Sequence, residues 1–246
     1  MRTVGVDLAA EPRRTAVASI AWHDGIAQVE RLVVGQTDEQ IVATLVGADK
    51  AGIDCPLGWP EPFVEFLNAN RAGRPIPPTD LAARRRLAYR TTDLAVVAEF
   101  GIRPLSVSAD LIGHAAMRAA GLLSTLANAG CPVDRAGSGL VVESYPAAAL
   151  RQWELYRPRY KGAGRTAIRD LLIHDQLAAA PALRLGPADA ALCSRSDDAL
   201  DAILCAFIAR AAALGRVTTP GPEQAAAAAT EGWIAVPTCP LGDLFG

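Results

Sequence analysis

TVGVDL (residues 3–8), TAVASIAW (15–22) and IAQVERLVV (26–34) lead into TDEQIVATLVGA (37–48) and then KAGIDCPLG (50–58). The first three segments are β-branched and apolar, the third alternating only in part. Short turns join them, the second at His23, Asp24 and Gly25, so the stretch predicts three successive antiparallel strands. Thr37 or Asp38 supplies a helix cap, and Ile41, Val42 and Leu45 share one face of a helix reaching about Ala48. Pro56 stops the short strand that follows. A hairpin-linked trio and a crossover helix put the fourth strand beside and parallel to the first, because such crossovers are short and right-handed. Asp7 and Asp54 then end neighbouring parallel strands, on the side where open α/β sheets bind their ligands.

Beyond Pro56 the strand rhythm stops. Proline, glycine and arginine mark connections around GRPIPPTD and FGIRPLSVS, and residues 61–71, 80–88 and 109–128 read as helices. This predicts a mainly helical insertion at about 56–138. GLVVE (139–143) resumes a strand, 146–153 and 165–180 read as helices, and DDALDAILCAFIARAAAL (197–214) carries the strongest helical pattern. The AAAAA stretch at 225–229 favours helix, and EGWIAVP reads as a short final strand. The expected architecture is one α/β domain over 1–246, with a mixed sheet of three antiparallel strands followed by parallel strands, flanked by helices.

Of the 246 residues 51% are hydrophobic and 20% charged, without the run of about eighteen apolar residues that a membrane span needs. MRTVGVDLA enters a strand directly and lacks the pattern of a secretory signal. The expectation is a soluble, cytoplasmic protein with no membrane partner. Five widely spaced cysteines form no C-x-x-C pair, which argues against a disulfide framework and a zinc site. A net charge of −2 excludes the overall basic balance of a non-specific nucleic-acid binder.

The chemistry concentrates in acids: Asp7, Asp54, Glu143 in VVESYP, and Asp198 with Asp201 in DDALDA. Each alone has an ordinary explanation as a turn residue or a helix-terminal charge. Together they point to a pocket for divalent metal, because several carboxylates buried near one another are costly unless a cation neutralises them. Two ions held about 3.5–4 Å apart activate water and stabilise the leaving oxygen of a phosphodiester, and they need hard oxygen ligands from different elements. Asp198 and Asp201, at i and i+3, share a helix face, while Asp197 suits the helix cap.

Arg90, Thr92 and Asp93 in YRTTD are candidates for phosphate contact or for an Arg–Asp pair between loops. Arg84, Arg85 and Arg86 suit a phosphate backbone or a solvated helix face. Lys161 in RYKG, one of only two lysines, is the better phosphate candidate beside Tyr160. Trp59 and Trp233 read as core or wedge residues, either of which could instead stack on a base, His23 and His174 read as exposed, and His114 as a packing residue. A G-x-S-x-G elbow is lacking, so a serine hydrolase is not expected.

GVDLA, GIDCPLGWP, YRTTD, PLSVSADLIG, VVESYPAAALRQW, YKG, SDDALDAILCAFIAR and EGWIAVP resemble, over nearly the whole chain, the pattern of the domain of unknown function 429 family, predicted nucleases with a ribonuclease H-like fold. The resemblance implies a ribonuclease H-like sheet with acids at Asp7, Asp54, Glu143 and the 198/201 pair. The spacing of that pair is also similar to the last helix of RuvC-type resolvases.

The expected function is a metal-dependent nuclease or phosphodiesterase. Mg²⁺ or Mn²⁺ would be held by Asp7, Asp54 and Asp201 or Asp198, with Glu143 as ligand or water-orienting base. Arg90, Asp93 and Lys161 would meet the substrate, a nucleic acid or a phosphorylated small molecule, and helix 109–128 offers a homodimer surface. A related fold would also serve an actin-like ATPase or small-molecule kinase, although AAEPRR after Asp7 is poorly suited to cradle phosphate. A third reading is a non-catalytic binding module, whose acids would be satisfied by arginines in place of metal.

Overall fold

The structure, a computed structural model, describes residues 1–76 and 80–246, so part of the GRPIPPTD connection lies outside the described residues. β1 (Arg2–Asp7), β2 (Ala16–His23) and β3 (Ile26–Val34) pair antiparallel in chain order. Asp24 and Gly25, at φ of 50° and 72°, form the two-residue turn between β2 and β3, a backbone whose twist matches that of the strands it joins. A bulge opposite Ser19 and Ile20 leaves Glu30 unpaired, and this breaks the alternation of the third segment: Val29 and Leu32 both reach the core.

α1 (Asp38–Leu45) starts with a reciprocal cap, in which the Thr37 side chain accepts from the Gln40 N–H and the Gln40 side chain accepts from the Thr37 N–H. It delivers β4 (Lys50–Asp54) parallel to β1, in register from Thr3–Lys50 to Asp7–Asp54. β5 (Val141–Ser144) runs parallel to β4, β6 (Leu183–Arg184) parallel to β3 at the far edge, and β7 (Ile234–Ala235) parallel to β5. The seven-stranded mixed sheet has the order β6-β3-β2-β1-β4-β5-β7.

Ten α-helices lie among the described residues. Between β4 and β5 come α2 (Glu61–Arg71), α3 (Leu81–Ala88), α4 (Thr91–Phe100) and α5 (Gly113–Asn128). After β5 come α6 (Pro146–Gln152), α7 (Thr166–Ala179), α8 (Pro187–Arg195), α9 (Asp197–Ala213) and α10 (Ala225–Glu231). α4, α8 and β6 have no counterpart in the pattern-based reading. α5 begins later than residue 109 because Asp110 closes a turn instead, accepting from the Ser106 N–H at 2.8 Å. Its alanine-rich face is not a free dimer surface: Ala115, Ala116, Ala119, Leu122 and Leu126 are buried against the sheet.

α5 and α1 cover the face lined by Val4, Val6, Val17, Ala51 and Ile53, and α9 lies across the other, with Phe207 against Trp22. Each such Leu, Ile or Phe contributes about 1.5–3 kcal/mol by leaving water. Among the described residues no helix is long and apolar enough to cross a membrane.

The insertion is tied to the C-terminal part of the chain by Glu231. Its carboxylate accepts from the Glu61 N–H at 2.9 Å and from the Thr91 N–H at 2.7 Å, so one buried acid caps the amino ends of both α2 and α4.

Candidate metal centre

GVD in β1 and GID in β4 share one pattern, a glycine two residues before an aspartate. With the period of two in a strand, Gly and Asp point to the same face, here the face covered by α9. A Cβ on Gly5 would lie 1.9 Å from the Ala202 carbonyl oxygen, and one on Gly52 would lie 2.4 Å from that of Cys205. The helix backbone therefore rests directly on the two strands. One turn ahead of Cys205, Asp201 is carried to the strand ends, and oxygens of Asp7, Asp54 and Asp201 all lie within 4.8 Å of one another. Asp201 is buried, whereas the Asp54 side chain stays 18% exposed.

The loop after α6 supplies the counter-charge. Lys161 Nζ lies 2.6 Å from Asp201 Oδ2 and 3.6 Å from Asp54 Oδ2, and the Tyr160 hydroxyl donates to Asp201 Oδ1 at 2.9 Å. Buried Arg169 fixes this loop by donating to the carbonyls of Tyr160 and Gly162 on one side and of Ser194 and Arg195 on the other. Nothing in its sequence context singled Arg169 out.

Burial, and then the charges of Asp201 and Asp54, hold the Asp7 carboxyl well above the usual carboxylate range. Burial also pushes Asp54 up to about 6, with Lys161 opposing and Asp201 and Glu143 adding to the rise. Asp201 is raised by burial against the pull of Lys161 and Tyr160. For Lys161 burial disfavours the ammonium, but Asp201, Tyr160 and Asp54 outweigh it and hold the charge. Three acids thus share a single ammonium.

The donor set fits a hard divalent cation. It consists of carboxylate oxygens alone, drawn from two strands and a helix, and oxygens on opposite sides of a Mg²⁺ ion stand about 4 Å apart. Their spacing lies close to that range before any side chain turns.

Glu143, Arg90 and Asp93 do something else. Arg90 grips both oxygens of Glu143, at 2.7 and 2.6 Å, and both oxygens of Asp93. The backbone N–H groups of Leu57 and Arg90 complete the two carboxylates. Burial disfavours this guanidinium, yet Glu143 and Asp93 outweigh it and keep it charged. Glu143 is thereby engaged by protein donors, and Arg90 and Asp93 form the N-terminal cap of α4.

Asp198 also stays outside the trio. It turns to Arg14, 3.5 Å away, because it lies one turn nearer the helix start than the level of the strand ends. Ser196, not Asp197, caps α9. Asp197 instead accepts from the Gly162 N–H and so helps to seat the Lys161 loop. Arg84, Arg85 and Arg86 are exposed on α3 and do not line the cavity over the trio. His114 is exposed rather than packed, and Ser106 and Ser108 bond the carbonyls of Ala88 and Leu87.

These observations define an α/β protein whose central parallel strands and one crossing helix bring three carboxylates together, two of which, Asp7 and Asp54, line a cavity. The chain belongs to the family described as "Protein of unknown function (DUF429)", whose model matches residues 5–225. No curated protein and no solved structure matches it.

Proposed function

We propose that this protein is a metal-dependent phosphodiesterase, a nuclease in the broad sense, on a ribonuclease H-like sheet. Mg²⁺ or Mn²⁺ would be held by Asp7, Asp54 and Asp201. The observation that carries the reading is the convergence of three carboxylate oxygens within 4.8 Å at the carboxyl ends of adjacent parallel strands. The strand order, three antiparallel strands followed by β4 and β5, supports the same fold assignment.

A divalent ion at such a site supplies Lewis-acid stabilisation of phosphoryl oxygens and lowers the pKa of water. The chain's own residues orient and neutralise. Asp201 is fixed by Tyr160, so its position does not depend on the ion. Lys161, 2.6 Å from Asp201, holds an ammonium at the floor of the cavity, within the region a bound phosphate would enter. Arg169 keeps that ammonium in place by fixing its loop.

One observation favours a second reading, a binding module without catalysis: Lys161 and Arg90 already pair with Asp201 and Glu143. Titration calorimetry with Mn²⁺ separates the two. The catalytic reading expects saturable binding that Asp7→Asn and Asp201→Asn each weaken at least about tenfold, together with Mn²⁺-dependent cleavage of single- or double-stranded oligonucleotides. Absence of binding, or binding indifferent to both substitutions, leaves the acids structural and favours the module.

A further inference from the structure

We infer that the cavity over the carboxylates receives one nucleotide-sized phosphate ester, an anion bearing a planar or apolar group, and not the continuous backbone of a duplex. This deepens the preceding reading and rests on it for the position of the phosphate over Asp7, Asp54 and Asp201.

The cavity measures about 470 Å³, within the range of about 300–1,000 Å³ that encloses a single small ligand. A duplex carries its phosphates on the outside of a rod too wide to enter such a space. Four cations, Arg90, Arg103, Arg159 and Lys161, line the cavity against three carboxylates, Asp7, Asp54 and Glu143. Arg90 and Lys161 are engaged by acids, but Arg103 and Arg159 are exposed, and among the described residues their guanidinium groups have no hydrogen-bond or carboxylate partner. Arg159 moreover holds a left-handed φ of 64°, a conformation that is unfavourable for a non-glycine residue and that collects at ligand sites.

The remaining wall is suited to an organic group. Tyr145 and Tyr156 line it, and Leu105 stays 60% exposed there. Tyrosine faces take bases of any sequence by stacking, and an exposed leucine in a cavity gains by being covered. A phosphate directed to the carboxylates would thus have two guanidinium groups without carboxylate partners for its outer oxygens, that of Arg103 resting over the Tyr89 ring, and an aromatic and aliphatic wall for its substituent.

The probe is thymidine 5′-monophosphate, titrated calorimetrically in the presence of Mn²⁺ into wild type, Arg103→Gln and Arg159→Gln. The expected result is saturable binding of one molecule, weakened about tenfold by each substitution through the loss of a charge-assisted contact. Both side chains are exposed, and unchanged thermal melting and Mn²⁺ binding of the variants show that the fold and the trio are intact. Competition by a short single strand identifies the source as a strand end, and its failure identifies a free small ester; either outcome supports the assignment. No binding of the nucleotide, binding indifferent to both substitutions, or displacement that is stronger by a duplex than by a single strand overturns it. If Mn²⁺ does not bind wild type while arginine-dependent nucleotide binding persists, the metal reading falls and the pocket stands. If Mn²⁺ binds and the nucleotide does not, the pocket alone falls.

Discussion

Glu143 and Asp201 are equally buried, at 2% and 1% exposure, and both stand at the carboxyl end of the same sheet. Around Glu143 every carboxylate oxygen is bonded: Arg90 and the Leu57 N–H serve Glu143, while the side chain and N–H of Arg90 serve Asp93. Around Asp201 the supply runs short. Tyr160 and a half-exposed Lys161 serve it, Asp54 has only the same ammonium at 3.6 Å, and Asp7 accepts no hydrogen bond among the described residues. Burial of acid alone therefore does not mark a site. What marks it is a buried acid beside two partly exposed ones whose acceptors the protein leaves open to the cavity, whereas a fully buried cluster must be completed by its own protein.

Substitutions sharpen that contrast, and the largest effect is expected at Arg90. Arg90→Gln leaves Glu143 and Asp93 buried without their cation and should cost about 3–5 kcal/mol in urea denaturation. Asp93→Asn, which keeps the shape and most of the bonds, provides a milder reading should the first variant not fold. Equal stability of Arg90→Gln and wild type would dissolve the distinction between the clusters.

Next comes the glycine contact. Gly52→Ala must displace both the α9 backbone at the Cys205 carbonyl and the Ser144 side chain, each 2.4 Å from the new Cβ, at an expected cost of about 1–3 kcal/mol. By moving Asp201 off the strand ends it should weaken Mn²⁺ binding in calorimetry as well. Gly121→Ala, at an open and exposed position of α5, should instead be neutral or slightly stabilising. Mn²⁺ affinity unaltered in Gly52→Ala would mean that the trio does not depend on this approach.

The smallest effect is in pH. Asp54 titrates near 6 when folded and near about 3.9 when unfolded, so between those values the folded state binds more protons than the unfolded one. Its contribution is present below about pH 4 and is lost as the pH rises through about 6. In chelator, the urea midpoint of wild type should fall across this window more than that of Asp54→Asn, and added Mn²⁺ should offset the fall by binding the ionised form. Equal slopes for the two proteins would show that the carboxylate is not under strain.

The sheet was legible because its signals are local. The apolar runs, the Asp24–Gly25 turn and the Thr37 cap each state their own geometry, and the strand-end positions of Asp7 and Asp54 follow from the strands. The choice between Asp198 and Asp201 was not legible, since both lie on one helix face. Which turn stands level with the strand ends is decided by where Gly5 and Gly52 let α9 settle. The glycine two residues before each aspartate was the available signal. Arg90 looked like a substrate contact because its partner Glu143 lies on a distant strand, and no spacing announces such a pair. α4 was missed because Arg90 stands at its N-cap, where Ser, Thr, Asp or Asn is usual.

The double cap made by Glu231 bears on the order in which the molecule can be completed. On a chain synthesised from its N-terminus, domains mature as their contacts emerge, and the amino ends of α2 and α4 wait for a residue 170 and 140 positions downstream of Glu61 and Thr91, respectively. The Glu231 carbonyl also accepts from Arg90, at 3.2 Å. The amino ends of α2 and α4 thus gain these caps only after Glu231 has been made.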